Sequence, residues 1–347
     1  MTAGPEQESN ASQREPKPGG PSWGLVMLAR EPAVLVLSHL AWHLELGARE
    51  IHLYLDDPAD PVADAAAALP GVRVTRCDNA FWQGLGGARP ALQTRRQTLI
   101  ASLAYAQAGV DWLLHLDADE FLHPPAGGAA ALRDELARQG EFTGYLALPN
   151  LERAFICSDP GGIFEGVFRC PQPRGADLPV ALAHQAGFVA RGVSGHAAGK
   201  ALSRTGQGYV LQPHAPRLDG ALVPSRRPGG LRVLHFDGLT PLHWLLKLKR
   251  YAAHPPESWE RFLGPHRRAQ LMHVRENLDD PPALRAFHDR LKYCPDPAAL
   301  QAQGLIEALR FSPEPALRRW LGALPDLSVA GFDAELRARE PALSRGL

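Results

Sequence analysis

Three carboxylates stand within four residues in "HLDADEFL": Asp117, Asp119 and Glu120, directly after the apolar run of "DWLLHL". Carboxylates crowded at the end of a buried strand repel one another, so each needs a counter-charge: a metal ion, a basic side chain or bulk water. On an extended backbone Asp117 and Asp119 project to one side, with Ala118 turned away. Two carboxylates on one side make half of a cation site, and few oxygen ligands with space left for phosphate oxygens suit Mg2+ or Mn2+. The competing explanation, a solvated acidic turn that opens a helix, is outweighed by position. The carboxyl end of a buried parallel strand is where open α/β sheets bind ligands.

The elements that must place these acids alternate. "WGLVMLAR" reads as a strand, "AVLVLSHLAWHLELGA" as a helix stopped by Gly47, and "EIHLYLDD" as a second strand. "VADAAAALPG" gives a helix, "GVRVTRCD" a third strand, and "ALQTRRQTLIASLAYAQAG" a helix leading into a fourth strand over 111–117. Such alternation predicts a mostly parallel, Rossmann-like α/β sheet flanked by helices. Residues 157–230, rich in Gly, Pro and His, predict an irregular, mostly antiparallel extension. Beyond "LRVLHFDGLTPLHWLLKLKRYAAH" the chain reads as helices punctuated by proline. The divisions expected are a disordered tail over 1–22, a domain over 23–255 with a ligand-binding part 23–125 and a site-closing part 126–255, and a helical region over 256–347.

Composition sets limits. With 347 residues, 45% of them hydrophobic and 21% charged, the chain can bury a substantial core and is not of the disordered class. Its 37 basic and 37 acidic side chains create no global field toward nucleic acid, and no nucleic-acid partner is expected. Cys77, Cys157, Cys170 and Cys294 show no metal-knuckle or disulfide spacing, which points to a reducing, cytoplasmic setting. The first 22 residues hold no apolar core of a secretory signal, and no apolar run is long enough to span a bilayer. Membrane contact is expected to be peripheral at most.

"VMLAREPAVLVLSHLAWHLELGAREIHLYLDD", followed by "WLLHLDADEFL", resembles the glycosyltransferase family 2-like group, whose GT-A fold transfers sugars from nucleotide-sugar donors. The resemblance covers about 24–125 and extends more loosely to about 255. It implies that Asp56 or Asp57 contacts the nucleotide, that Asp117 and Asp119 form the DxD that holds the metal and donor, and that Arg30 belongs to the first strand-end loop. That loop reads Ala29-Arg30-Glu31 where the group usually has Arg-Asn-Glu. "LHFDG" resembles the segment that closes the metal site from the C-terminal side in several GT-A enzymes, so His235 is the expected third ligand of Mn2+ or Mg2+.

Further residues follow from what such a site needs. A leaving diphosphate is stabilised by basic side chains, and residues 226–275 hold ten Lys or Arg against three acids. Lys247 is the candidate there; a solvated basic face on a helix over 242–252 accounts for most of the others. "SGHAAGKALSRTGQGYVLQPHAP" gathers His196, Lys200, Arg204 and His214, either to line the diphosphate or acceptor pocket, with Lys200 on the donor, or as a glycine-turned hairpin. Glu152, ahead of Asp159, is the candidate general base of an inverting transfer. The expected function is metal-dependent glycosyl transfer from a nucleotide-sugar donor to a glycan, lipid-linked or protein acceptor, as in cell-surface polysaccharide or glycoconjugate synthesis. The alternatives are a nucleotidyltransferase, disfavoured by the lack of a Gly-rich loop after the first strand, and a non-catalytic carbohydrate- or partner-binding protein on the same scaffold.

Overall fold

A computed structural model describes residues 20–157, 159–259, 263–307 and 309–347. Of the tail expected over 1–22, residues 1–19 lie outside the described residues. Ser22 is anchored: its N–H and Oγ donate to the Asp111 carboxylate at 2.8 and 2.6 Å.

The alternation appears as β1 (Trp23–Ala29), α1 (Ala33–Glu45), β2 (Glu50–Leu55), α2 (Val62–Ala67), β3 (Val72–Arg76), α3 (Asn79–Gly84), α4 (Gln93–Gln107) and β4 (Trp112–His115). Every residue of β1, β2 and β4 is buried, as in parallel strands covered on both faces. Gly47, at φ 87°, takes the left-handed turn that ends α1. β5 (Glu120–His123), α5 (Gly128–Arg138), β6 (Tyr145–Leu148), β7 (Asn150–Ala154), β8 (Val167–Arg169) and β9 (Lys200–Arg204) follow. Next come the hairpin β10 (Arg217–Leu218) and β11 (Ala221–Leu222), then β12 (Ser225–Arg226) and β13 (Arg232–His235), while β14 (Ile306–Glu307) lies among the C-terminal helices.

Among the described residues these strands form two main sheets. The larger has the order β3-β2-β1-β4-β9-β6-β12. Its first four strands are parallel, and β9 runs antiparallel between β4 and β6. The smaller has the order β14-β8-β7-β13-β5. The fold is therefore mixed α/β with a large, mostly parallel sheet flanked by helices, a largely antiparallel extension and a helical C-terminal region. Those helices are α6 (Pro241–Ala252), α7 (Pro256–Trp259), α8 (Pro265–Glu276), α9 (Pro281–Lys292), α10 (Pro297–Ala302), α11 (Glu314–Leu321) and α12 (Val329–Arg339). The prolines that punctuate the sequence mostly open helices, where a missing N–H costs nothing. Among the described residues no helix is long and apolar enough to cross a membrane.

One expectation needs correction. The fourth strand ends at His115, not at residue 117, and the chain then turns into β5 of the other sheet. Within that turn the Glu120 N–H donates to the Asp117 carbonyl at 3.0 Å, so Asp117 and Asp119 do not lie on extended backbone. The physical reason is the crossing between sheets: β5 must pair antiparallel with β13, which demands a reversal immediately after β4.

β5 is an edge strand, and an edge leaves backbone groups unpaired. Helix α1 satisfies two of them: Trp42 Nε1 donates to the Leu122 carbonyl at 2.7 Å, and the Leu122 N–H donates to His43 Nε2 at 3.1 Å. Burial pushes the His43 pKa well below its usual value, which leaves the ring neutral and able to accept. Phe121 turns into the core, fully buried, with its ring 5.6 Å from those of Phe164 and Phe236 and 4.8 Å from that of Phe311. Replacing Phe121 by Ala is expected to cost about 3–5 kcal/mol through lost burial and the cavity left behind, read from the denaturant midpoint at constant m-value.

Candidate functional site

The turn between β4 and β5 is balanced by two lysines from distant parts of the chain. Lys200 opens β9, which pairs with β4, and this adjacency carries its ammonium to the turn. Its Nζ lies 2.8 Å from Asp117 Oδ2 and 2.6 Å from Glu120 Oε2, with the lysine side chain 1% exposed. Burial alone would lower the Lys200 pKa, but the Asp117 and Glu120 carboxylates outweigh it and raise the value above the usual lysine range. Reciprocally, both acids are held below their usual values against the cost of burial. The Asp117 N–H donates to Glu120 Oε2 at 2.8 Å, and Gln97 of α4 donates to Asp117 Oδ1. On the other side Lys247 of α6 places Nζ 2.5 Å from Asp119 Oδ2 and 3.6 Å from Asp237 Oδ1.

The smaller sheet adds histidine. β13 lies between β5 and β7, with His235 in register with Glu120 on one side and Glu152 on the other; Glu152 in turn faces Arg169 of β8. Cross-strand partners share a face, so the four form a buried, ionisable row across the sheet. His196, from the segment before β9, brings Nε2 to 3.0 Å from Glu120 Oε1, and its ring centroid is 4.8 Å from that of His235. His235 Nε2 is 3.9 Å from Asp119 Oδ2, while its Nδ1 is buried without a hydrogen-bond partner. Among the described residues, Glu120, His196 and His235 offer ligand atoms all within 4.8 Å of one another.

Glu152 holds this arrangement from behind. It is fully buried. Oε1 accepts from the Ser194 N–H and Oγ, each at 2.8 Å, and Oε2 from the Gly195 N–H at 2.5 Å. Burial raises its pKa, but Lys292 at 3.4 Å, His235 and the Ser194 N–H together outweigh that and the value falls to about 2. A carboxylate so committed is a poor proton acceptor, so the expected general base is instead the anchor of the turn that delivers His196. Asp159 is exposed. The backbone at Gly195 passes so close that an added Cβ would lie 2.7 Å from Glu152 Oε2 and 2.8 Å from His235 Cε1. Asp237 completes the network, 2.8 Å from Lys292 and 3.2 Å from Arg267.

Asp117, Asp119, Lys200, Lys247 and His235 thus meet in one place, with Glu152 behind His235; Asp56, Asp57 and Arg30, also expected at the site, stand apart. Asp56 ends β2 as a buried carboxylate held by Arg89 at 2.7 Å and Arg96 at 2.9 Å. Asp57 and Arg30 line a separate cavity of about 280 Å³ with Arg250, Arg339 and Glu340. Arg250 lies one helical turn after Lys247, so α6 runs from this cavity to the acidic turn. Glu31 sits 3.0 Å from His243. Burial works to raise its pKa, but His243, Arg250 and Lys247 together lower it to about 2.

Sequence reasoning missed Asp237 and Lys292, left Glu120 without a role, and offered His196 as a pocket-lining or hairpin residue and not as a metal ligand. Asp237 had a signal, two residues after His235 in "HFD". Lys292, on α9, had none.

No family model matches the sequence, and no curated protein matches it. Solved structures give distant likenesses. HddC from Yersinia pseudotuberculosis is 10% identical, over 61% of this chain and 76% of that one, with a TM-score of 0.24. The galactosyltransferase LgtC, solved in complex with donor and acceptor sugar analogues, is 16% identical over 52% of this chain and 57% of that one, TM-score 0.23. A Bacillus anthracis protein described as a glucose-1-phosphate thymidylyltransferase, in complex with sucrose, is 10% identical over 84% and 98%, TM-score 0.26. At such scores neither architecture nor activity transfers from these proteins.

The depressed Glu152 pKa has a consequence for acid stability. Because the folded value lies near 2 against an ordinary 4.5, its contribution is fully present above pH 4.5 and is lost as the pH falls toward 2. Urea midpoints measured from pH 6 downward are expected to fall below pH 4.5, and Glu152→Gln is expected to flatten that dependence while lowering stability at pH 7.

Proposed function

We propose that this protein is a metal-dependent glycosyltransferase of the GT-A type, resembling the family 2-like group, and that it moves a sugar from a nucleoside-diphosphate sugar to a glycan, lipid-linked or protein acceptor. The observation that carries the reading is the meeting, at the carboxyl end of β4, of three carboxylates, two lysines and two imidazoles, each with a buried, unpartnered nitrogen. Open α/β sheets bind ligands at this edge.

The residues fit a divalent ion. His235 sets Nε2 3.9 Å from the Asp119 carboxylate and has an unpartnered Nδ1, and burial keeps the imidazole neutral, as a ligand must be. Bound Mn2+ or Mg2+ would supply neutralisation of the charge that develops on the leaving diphosphate. Lys247 and Lys200 serve the same end from this chain: their ammonium groups are fixed by Asp119 and Asp117, so they need no reorganisation when the glycosidic bond to the diphosphate breaks. Asp57 and Arg30 would meet the nucleoside from the cavity they line, and Asp56 orders Arg89 and Arg96. A cytoplasmic setting belongs to the same reading and agrees with four free thiols.

Calorimetric titration with a panel of nucleoside diphosphates, with and without Mn2+, tests this. Metal-dependent binding is expected for the wild type and not for Asp119→Ala; no such binding, or equal binding by the variant, refutes the reading. With the donor so identified, Lys247→Ala is expected to lower kcat roughly 100-fold or more, as loss of one preorganised cationic group does.

A further inference from the structure

We infer that Glu120, His196 and His235 form a tridentate site for a divalent transition-metal ion, one that takes Mn2+, Co2+ or Zn2+ in preference to Mg2+. The inference deepens the proposed function, resting on its reading that this edge of the sheet takes a dication, and it moves the ion from the two aspartates to the residues beside them.

The aspartates are already engaged. Asp117 is bound on both oxygens, by Lys200 and Gln97, and Asp119 Oδ2 is bound by Lys247, so an ion on either aspartate would sit against a lysine ammonium. Glu120 is divided instead. Oε2 takes the Lys200 ammonium and the Asp117 N–H, while Oε1 turns toward His196. One oxygen is thus fixed from behind and the other presented forward.

Both imidazoles can present a lone pair. Nδ1 of His196 and Nδ1 of His235 have no hydrogen-bond partner, while His196 Nε2 meets Glu120 Oε1 at 3.0 Å, a contact that a bound ion would replace. Their positions are held from outside the cluster. His235 is fixed by strand register opposite Glu120. The His196 turn is pinned by Glu152 on Ser194 and Gly195, by His266 on the Gly195 carbonyl at 2.8 Å, and by Asn150 on the His196 carbonyl. Such outer contacts aim metal ligands before the ion arrives. The His196 side chain is 29% exposed, which gives an entry path from solvent and leaves room for further ligands.

Charge and ligand type decide the ion. Asp117, Asp119 and Glu120 carry three negative charges, and Lys200 and Lys247 return two, so the locality tolerates a cation. Two nitrogens and one oxygen are a poor match for Mg2+, which prefers an octahedron of oxygens, and a good one for the imidazole-binding divalent transition metals.

The test uses the untagged full-length chain without nucleotide, titrated with Mg2+, Mn2+, Co2+ and Zn2+ by calorimetry, together with the visible absorption spectrum of the Co2+ form. One Co2+ per chain is expected, with a spectrum of nitrogen ligation and an affinity at least about tenfold above that for Mg2+. His196→Ala and His235→Ala are expected to lose the ion, and Asn150→Ala to weaken it roughly 10–100-fold. No ion bound, Mg2+ bound equally well, or full affinity in both histidine variants overturns the inference. The Co2+ spectrum of the wild type reads ligation even if a variant fails to fold. A chain that binds Co2+ at these ligands and binds no nucleoside diphosphate refutes the transferase reading and sustains this one; metal-dependent nucleotide binding unchanged in His196→Ala does the reverse.

Discussion

The ammonium of Lys200, buried between Asp117 and Glu120, is the interaction on which the site depends. Two carboxylates in one turn repel, and burial multiplies that repulsion because water no longer screens it. The lysine resolves the conflict without an ion. It also joins elements that no local contact joins: β9 of the large sheet, from which it extends, and the turn through which the chain leaves that sheet for the other. Lys247 does for Asp119 from α6 what Lys200 does for Asp117 and Glu120, and Lys292 does so for Glu152 and Asp237 from α9. The acidic cluster is therefore bound to both sheets and to two C-terminal helices through lysine.

This arrangement divides labour among residues of like chemistry. Glu152 and Glu120 are both buried acids in register with His235, yet one is enclosed by N–H and O–H donors and the other has an oxygen left to offer. The first fixes a turn; the second can bind. Asp119 and Asp117 hold the ammonium groups of Lys247 and Lys200 in place. Function at such a site comes from what each side chain has left over once its structural partners are satisfied.

Much of the fold was legible because the signals were local and periodic. The apolar runs of β1, β2 and β4 and the glycine that stops α1 follow from short-range rules. The acids of "DADE" were legible as chemistry because crowded charge is conspicuous in sequence. Their geometry was not, because the reversal at 117–120 is imposed by β13, more than a hundred residues away. The Glu120–His235–Glu152–Arg169 row is a matter of strand register between distant segments, which sequence periodicity does not encode. Glu152 read as a base because nothing local to "LPNLERAF" discloses the Ser194 and Gly195 donors that occupy it.

The most direct test of this account is the unfolding free energy of Lys200→Met, measured by denaturant at neutral pH with circular dichroism confirming the folded state. The substitution keeps the side chain's bulk and removes its charge, leaving Asp117 and Glu120 without their shared cation. A loss of about 3–5 kcal/mol is predicted, the usual cost of stranding buried charge. An unchanged or raised midpoint would contradict the account, since it would mean that the acids of "HLDADEFL" do not need the lysine.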